Sequence, residues 1–80
     1  MKLPRDISGE EFAKILYRLG YVITWQSGSH IRLTTERNGT HHVTIPSHDP
    51  LKIGMLSALI SDVADHHQMN RDDLVKKLFT

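Results

Sequence analysis

Apolar residues follow a helical spacing near the start of the chain. Their positions, spaced i, i+3, i+4 and i+7, are Phe12, Ile15, Leu16 and Leu19. This spacing is typical of a helix with one buried face. Ser8 and Glu11 have the spacing of a capping box, and Gly20 supplies the left-handed residue that commonly ends a helix. We therefore predict a first helix between Ser8 and Gly20.

The next part of the chain has the pattern of β-strands. Residues 21–26 are rich in β-branched and aromatic residues, and the Ser-Gly-Ser turn at 27–29 leads into a second strand from His30 to about Thr35. Apolar and polar residues alternate in this strand and again in residues 41–45, which predicts a sheet with one dry face and one face open to solvent. The residues predicted on the open face are His30, Arg32, Thr34, His42 and Thr44.

The turn between the second and third strands decides which residues lie opposite each other. A three-residue loop at 37–39, with Gly39 in the left-handed conformation, keeps polar residues opposite polar ones. A two-residue turn at 38–39 would mix the two faces, so we expect the longer loop. It predicts three opposed pairs: Thr34 with His42, Arg32 with Thr44, and His30 with Pro46.

Trp25, the single tryptophan, has two competing interpretations. An exposed indole can stack on a nucleic-acid base. However, Tyr21, Ile23 and Trp25 share one face of a regular strand, and large aromatic residues usually supply core area in small domains. We therefore expect Trp25 to pack in the core.

Two further helices are predicted after the sheet. The second should run from about Leu51 or Lys52 to about His66, with Gly54 in its first turn, where we expect a close approach by another group. Asn70 is a suitable N-cap for a short final helix. The residues of both helices that should face inward are Leu56, Leu59, Ile60, Val63, Leu74, Val75 and Leu78. The predicted order is α-β-β-β-α-α, an α+β two-layer sandwich with the helices on the dry face of an antiparallel sheet.

Length, composition and charge narrow the class of protein. A chain of 80 residues suits one domain, and the absence of cysteine suits a reducing compartment. The N-terminus lacks the apolar core of a secretion signal, and no apolar run approaches the roughly 20 residues of a membrane helix. We expect a cytoplasmic protein with no membrane contact. The formal charge of +1 argues against holding nucleic acid by overall charge, so any RNA contact must be local.

Five segments of the chain follow, in order, the pattern of one protein family. They are residues 3–11, 19–21, 28–33, 42–46 and 51–54. The segment Gly-Ser-His-Ile-Arg-Leu at 28–33 is the most specific of them. On these residues the chain resembles the HicA toxins of bacterial and archaeal HicA–HicB toxin–antitoxin systems.

The resemblance implies both a fold and an activity. The fold is that of a double-stranded-RNA-binding domain, α-β-β-β-α, here with an extra short C-terminal helix, and residues 1–80 would form a single HicA-like domain. The activity is translation-independent or ribosome-independent cleavage of mRNA, neutralised by a HicB-like antitoxin that covers the active histidine. In this chain that histidine is His30. The tail from Ser61 to Thr80 is longer than in the shortest members, which leaves open how the antitoxin docks and whether the chain forms a homodimer.

Metal-free RNA cleavage needs one proton removed from a 2′-hydroxyl and one delivered to the departing 5′-oxygen. A histidine suits either role because it titrates near neutrality, and we predict His30 as the general base. Arg32, two residues along the same face, would stabilise the phosphorane because its guanidinium stays charged. The second proton-transfer group stays open: His48 lies just beyond Pro46 at the His30 end, whereas His42 is about 13 Å away along the sheet.

The remaining predicted contacts hold the RNA. The turn before His30 leaves room for a nucleotide, and Lys52, with the free amides that begin the second helix, suits a neighbouring phosphate. The residues predicted to bind RNA are Gly28, Ser29, Arg32, His48 and Lys52. We predict no cofactor and no metal, because the adjacent histidine pairs at 41–42 and 66–67 lack a convergent third ligand.

Two other functions compete with a nuclease. A non-catalytic RNA-binding module of the same fold would read duplex shape, and it predicts more clustered lysine and arginine than the chain contains. An adaptor that binds only a protein partner fits the mixed charge, but it gives no reason for the Gly-Ser-His segment at 28–30.

Overall fold

The fold is a three-stranded antiparallel sheet with helices packed on one of its faces. In the computed structural model, which describes residues 2–80, the elements are α1 (Gly9–Leu16), a 3₁₀ turn (Tyr17–Leu19), β1 (Val22–Gln26), β2 (His30–Thr35), β3 (His41–Pro46), α2 (Ile53–His66) and α3 (Arg71–Phe79). The strands lie in the order β1-β2-β3. This confirms the predicted α+β two-layer sandwich and is consistent with a double-stranded-RNA-binding-domain-like fold. Met1, which opens the predicted domain, lies outside the described residues.

The first helix begins where its sequence predicts, but its α-helical part ends at Leu16 and the 3₁₀ turn carries the chain on to Gly20. The Ser8 hydroxyl accepts a hydrogen bond from the Glu11 amide at 3.0 Å, and the Glu11 carboxylate accepts one from the Ser8 amide at 3.0 Å. These two bonds satisfy amides that the helix itself leaves unpaired. Gly20 adopts the left-handed conformation, with φ of 80°, and so turns the chain from the helix into the sheet.

The register between β2 and β3 matches the predicted one. His30 lies opposite Pro46, Arg32 opposite Thr44, and Thr34 opposite His42. The turn that sets this register has two left-handed residues, Asn38 with φ of 58° and Gly39 with φ of 94°. Because these pairs share a face, the polar side of the sheet is continuous across both strands.

The prediction that Trp25 packs in the core is wrong, because β1 is not a regular strand. Ile23 pairs with Leu33 and Trp25 with Arg32, so the intervening Thr24 is the extra residue of a β-bulge. A bulge reverses the facing of the residues that follow it. Ile23 therefore lies on the helix side of the sheet and Trp25 on the open side, where 56 % of its surface is exposed.

The core lies between the sheet and the helices. Its largest fully buried side chains are Tyr21, Phe12, Leu16, Ile31, Leu33, Ile45, Leu56, Ile60, Leu74, Leu78, Val43 and Val63. The seven residues predicted to face inward from α2 and α3 are all buried. Asn70 caps α3 by accepting hydrogen bonds from the amides of Asp72 and Asp73. Between residues 2 and 80, no helix has both the length and the apolar character needed to cross a membrane.

Two helical glycines have very different surroundings. Gly54 lies in the first turn of α2 as predicted, but the expected close approach is absent, because a β-carbon there would meet no described atom within 4 Å. The close approach occurs instead at Gly9, in the first turn of α1. A β-carbon on Gly9 would lie 2.0 Å from the carbonyl oxygen of Pro46, so α1 and the end of β3 touch through their backbones.

Candidate active site

His30 is the first residue of β2, and its backbone is held by Ser27. The Ser27 hydroxyl accepts a hydrogen bond from the His30 amide at 3.1 Å, and the Ser27 amide donates to the His30 carbonyl at 2.9 Å. These bonds close the turn at 27–29 and fix the point at which the imidazole leaves the sheet. Gly28 at the tip of this turn is exposed, and a β-carbon there would meet nothing within 4 Å. The space beside His30 is therefore open to a ligand.

The two nitrogens of the exposed His30 ring have different surroundings. Nδ1 lies 3.0 Å from the Ser29 hydroxyl, whereas Nε2 makes no hydrogen bond with any residue from 2 to 80. A partner on Nδ1 orients the ring and sets which nitrogen carries the proton. The free nitrogen is left to exchange a proton with a bound molecule.

The segment after β3 returns to the His30 end of the sheet. The Ser47 amide donates to the Ser29 carbonyl at 2.9 Å, and the next residue, His48, accepts from the Gly9 amide through its own carbonyl at 2.9 Å. The structure thus brings the backbone of His48 to the end of the sheet that carries His30, with the His48 side chain exposed. The Ser47 hydroxyl is buried without a hydrogen-bond partner among the described residues.

Lys52 lies further along this segment, as the exposed N-cap of α2. Its side chain makes no hydrogen bond within the described chain. The preceding residue, Leu51, is buried and donates its amide to the Ile7 carbonyl at 2.8 Å. This bond fixes the start of α2, whose unpaired amides and dipole favour an anion.

The open face of the sheet carries the other predicted residues. Arg32 lies between Trp25 on β1 and Thr44 on β3, and its side chain is exposed. Together with His42, these three residues line a shallow depression of about 440 Å³. The His42 ring is oriented by the Thr34 hydroxyl, 2.8 Å from its Nδ1. His42 lies four residues from the His30 end of the sheet in the observed register, about 13 Å away.

A cluster of three histidines on the helix side of the sheet was not predicted from the sequence. The Tyr21 hydroxyl lies 2.7 Å from Nδ1 of His41 and 3.2 Å from Nε2 of His67. The His66 ring stacks on that of His41 at a centroid distance of 4.3 Å, and its Nε2 donates to the carbonyls of Arg37 and Gly39. The cluster ties the hairpin turn to the end of α2.

One assignment of protons satisfies every hydrogen bond in the series that runs through the Tyr21 hydroxyl. His41 donates from Nε2 to the Asp62 carboxylate at 3.2 Å, so its Nδ1 accepts from the Tyr21 hydroxyl. His67 then donates from Nε2 to the Tyr21 oxygen, and its Nδ1 accepts from the side-chain Nδ2 of Asn38 at 3.2 Å. The cluster is therefore a hydrogen-bonded structural element that joins the sheet to the end of α2.

This cluster should make the stability of the fold depend on pH at both ends of the range. Burial, followed by the positive charges of His66, His41, Arg37 and Lys77, lowers the pKa of His67 from 6.5. The unfolded state then binds more protons than the folded state below that pH, so stability is lost as the pH falls below about 6.5. Burial, and then the charge of Asp62, raises the pKa of Tyr21 above 10.0, so stability is also lost as the pH rises past that value.

Urea unfolding at several pH values would measure this dependence. We expect the free energy of unfolding to fall between about pH 7 and pH 5, and to fall less in a His67→Gln variant, whose amide can still donate to Tyr21. If the free energy of unfolding falls with pH by the same amount in both proteins, His67 does not cause the loss of stability.

The described residues contain no group of three histidine, cysteine or acidic side chains placed to hold a metal ion. His41, His66 and His67 are close together, but their ring nitrogens point to Tyr21, Asp62, Asn38 and backbone carbonyls rather than to a common centre.

Comparison with known proteins identifies a family for this arrangement. A family model described as the HicA toxin of bacterial toxin–antitoxin systems matches residues 9–65. The match spans α1, the whole sheet and nearly all of α2, and includes His30 and its turn. No curated protein and no solved structure matches the chain.

Proposed function

Since the chain belongs to the HicA toxin family, we propose that it is a metal-independent endoribonuclease that cleaves mRNA with His30 as a general acid or base. Membership of the family makes it the toxin of a toxin–antitoxin system and implies a cognate antitoxin. The observation that carries the catalytic proposal is the state of His30. Its backbone is fixed by Ser27, its Nδ1 is beside Ser29, and its Nε2 is free at the exposed end of β2.

The reaction we propose is transfer of the phosphodiester to the neighbouring 2′-oxygen. His30 takes the proton of the 2′-hydroxyl through Nε2, the 2′-oxygen bonds to phosphorus, and the bond from phosphorus to the 5′-oxygen breaks. A second group protonates that 5′-oxygen, which leaves a 2′,3′-cyclic phosphate and a 5′-hydroxyl. Arg32, on the same face two residues away, stabilises the additional negative charge of the phosphorane.

The proposal assigns the RNA contacts to groups around this ring. Gly28 and Ser29 form the open turn beside His30, and Lys52 holds a neighbouring phosphate at the start of α2. His48 is the candidate for the second proton transfer, because its backbone is joined to Gly9 at this end of the sheet and its side chain is exposed.

The HicA–HicB pairing suggests how the activity is restrained. We propose that the cognate HicB-like antitoxin covers His30. The exposed residues 28–30, at the turn and the start of β2, give such a partner direct access to the ring. Bound antitoxin would then exclude RNA from the nitrogen that has no partner within the chain.

The products of the reaction test this proposal directly. The purified protein, treated with EDTA, is incubated with a single-stranded RNA, and the ends of the fragments are identified by mass spectrometry. We expect 2′,3′-cyclic phosphate and 5′-hydroxyl ends, and no cleavage where a 2′-O-methyl group replaces the attacking hydroxyl. Cleavage that requires added metal, or fragments with 5′-phosphate ends, would contradict the proposed chemistry.

A further inference from the structure

We propose that Trp25 is a stacking platform for one unpaired base of the substrate, which makes the open face of the sheet a binding surface for single-stranded RNA. The inference deepens the proposed nuclease function and rests on it for the identity of the ligand. Its physical basis is the bulge in β1, which places the single tryptophan of the chain on the polar side of the sheet.

The bulge is held in place by hydrogen bonds of its extra residue. The Thr24 hydroxyl lies 3.0 Å from the Thr34 hydroxyl and 3.4 Å from the carbonyl of Arg32. Thr34 in turn contacts Nδ1 of His42 at 2.8 Å. These contacts join all three strands. Hydrogen bonds within the sheet therefore hold the bulge that places Trp25 on the open face. Bulges often re-aim a side chain beside a functional site.

The surroundings of the indole suit a nucleotide. More than half of the Trp25 surface is exposed, at 56 %. The fold therefore does not use this residue for the large buried area that a tryptophan can add to a core. It forms one side of the depression of about 440 Å³ whose other lining residues are Arg32, His42 and Thr44. A flat aromatic surface beside a guanidinium is the combination that single-strand-binding proteins use for bases and phosphates.

The charge of this face favours RNA over an acidic or neutral partner. His30, Arg32 and His42 lie on it, and none of the strand residues described on this face is a carboxylate. The carboxylate that follows β2, on Glu36, lies in the hairpin turn and accepts a hydrogen bond from Thr40 at 2.7 Å. A phosphodiester chain would therefore meet cationic and neutral groups along the strands.

The position of Trp25 relative to His30 defines the class of substrate. Trp25 pairs with Arg32, two residues along β2 from His30, a distance of about 7 Å along the strand. A base on the indole would thus belong to a nucleotide close to the cleaved phosphate. Because a base must leave its own stack to lie on a protein aromatic ring, the site selects unpaired RNA and excludes a duplex.

Tryptophan fluorescence tests this inference without any label. Trp25 is the single tryptophan, so quenching reports on that site alone. The probe is a short RNA with 2′-O-methyl groups throughout, which the proposed reaction cannot cleave, used as a single strand and as a duplex. We expect quenching by the single strand at concentrations where the duplex has no effect. Equal quenching by the duplex would overturn the inference.

Substitution at the same position measures the contribution of stacking to affinity. For the same single strand carrying a fluorescent end label, we expect Trp25→Ala to weaken binding about 5- to 100-fold and Trp25→Phe to restore most of it. The matched control is Val22→Ala, because Val22 is on the same face and strand and is equally exposed, at 57 %. We expect this control to leave binding unchanged.

The outcomes separate this inference from the nuclease proposal. If Trp25→Ala binds RNA as the wild type does while His30-dependent cleavage persists, the stacking inference is wrong and the nuclease proposal stands. If the wild-type protein is quenched by single strands but cleaves nothing, stacking stands and the nuclease proposal fails. If Trp25→Ala loses affinity for the antitoxin but not for RNA, the indole belongs to a protein interface and the inference is overturned.

Discussion

Replacing His30 with alanine is expected to slow RNA cleavage by about 10²–10⁴-fold, the usual contribution of a positioned acid–base group. The expected loss is chemical, because the exposed ring leaves the sheet at a point fixed by backbone bonds to Ser27 that alanine can also make. In cells without antitoxin, induction of the wild-type chain should arrest growth and degrade RNA, whereas the variant should do neither. Growth curves and RNA integrity measure both effects.

Two controls separate lost chemistry from lost folding or lost binding. The thermal unfolding of His30→Ala should match that of the wild type, and its affinity for a 2′-O-methyl RNA should change little. His30→Gln keeps a side chain of similar size without proton transfer, so it should be as inactive as the alanine variant. Wild-type cleavage by both variants would remove His30 from the mechanism.

Gly9→Ala is expected to destabilise the fold strongly. The added carbon would lie 2.0 Å from the Pro46 carbonyl oxygen, and the nearby Ile45 side chain and the Pro46 backbone leave it no free direction. Forcing atoms into packed space costs about 1–3 kcal/mol and sometimes more, a large share of the roughly 5–15 kcal/mol that stabilises a domain. Urea unfolding measures the loss.

Gly54→Ala is the matched control for this experiment. Both glycines lie in the first turn of a helix, but a β-carbon on Gly54 would meet nothing within 4 Å. We expect Gly54→Ala to stabilise the protein by about 0.4–1 kcal/mol, because alanine reduces the freedom of the unfolded chain. Equal stability of the two variants would mean that α1 shifts away from β3 at little cost.

The elements of this fold follow from local patterns in the sequence. The capping box at Ser8 and the alternation in β2 and β3 each depend on residues a few positions apart, so periodicity alone predicts them correctly. The register at His30 also follows, because only one turn length keeps polar residues opposite polar ones.

The two features that sequence analysis missed depend on other elements. The strand at 22–26 has no strict alternation of apolar and polar residues, so the extra residue at Thr24 has no sequence signature, and the outward turn of Trp25 could not be foreseen. The histidine cluster joins His41 on the sheet to His66 at the end of α2, 25 positions further along the chain. A clue was present in His41, which shares the apolar side of β3 with Val43.

In the candidate site, too, some positions follow from neighbouring residues and others depend on contacts with distant parts of the chain. The place of His30 at the start of a strand, beside a Ser-Gly-Ser turn, follows from neighbouring residues. That the segment of His48 is bound to the same end of the sheet depends on hydrogen bonds to Ser29 and Gly9 from a different part of the chain.

The single extra residue in β1, Thr24, reverses the side of the sheet that the later residues of the strand face. In an uninterrupted strand, Tyr21 and Trp25 would point to the same side. With Thr24 inserted, Tyr21 is fully buried against the histidines while Trp25 faces outward. If the same residues formed a regular strand without the bulge, either the Tyr21 hydroxyl would leave the core or the Trp25 indole would leave the open face. The length of β1, as much as its composition, therefore determines which chemistry each side of the sheet presents.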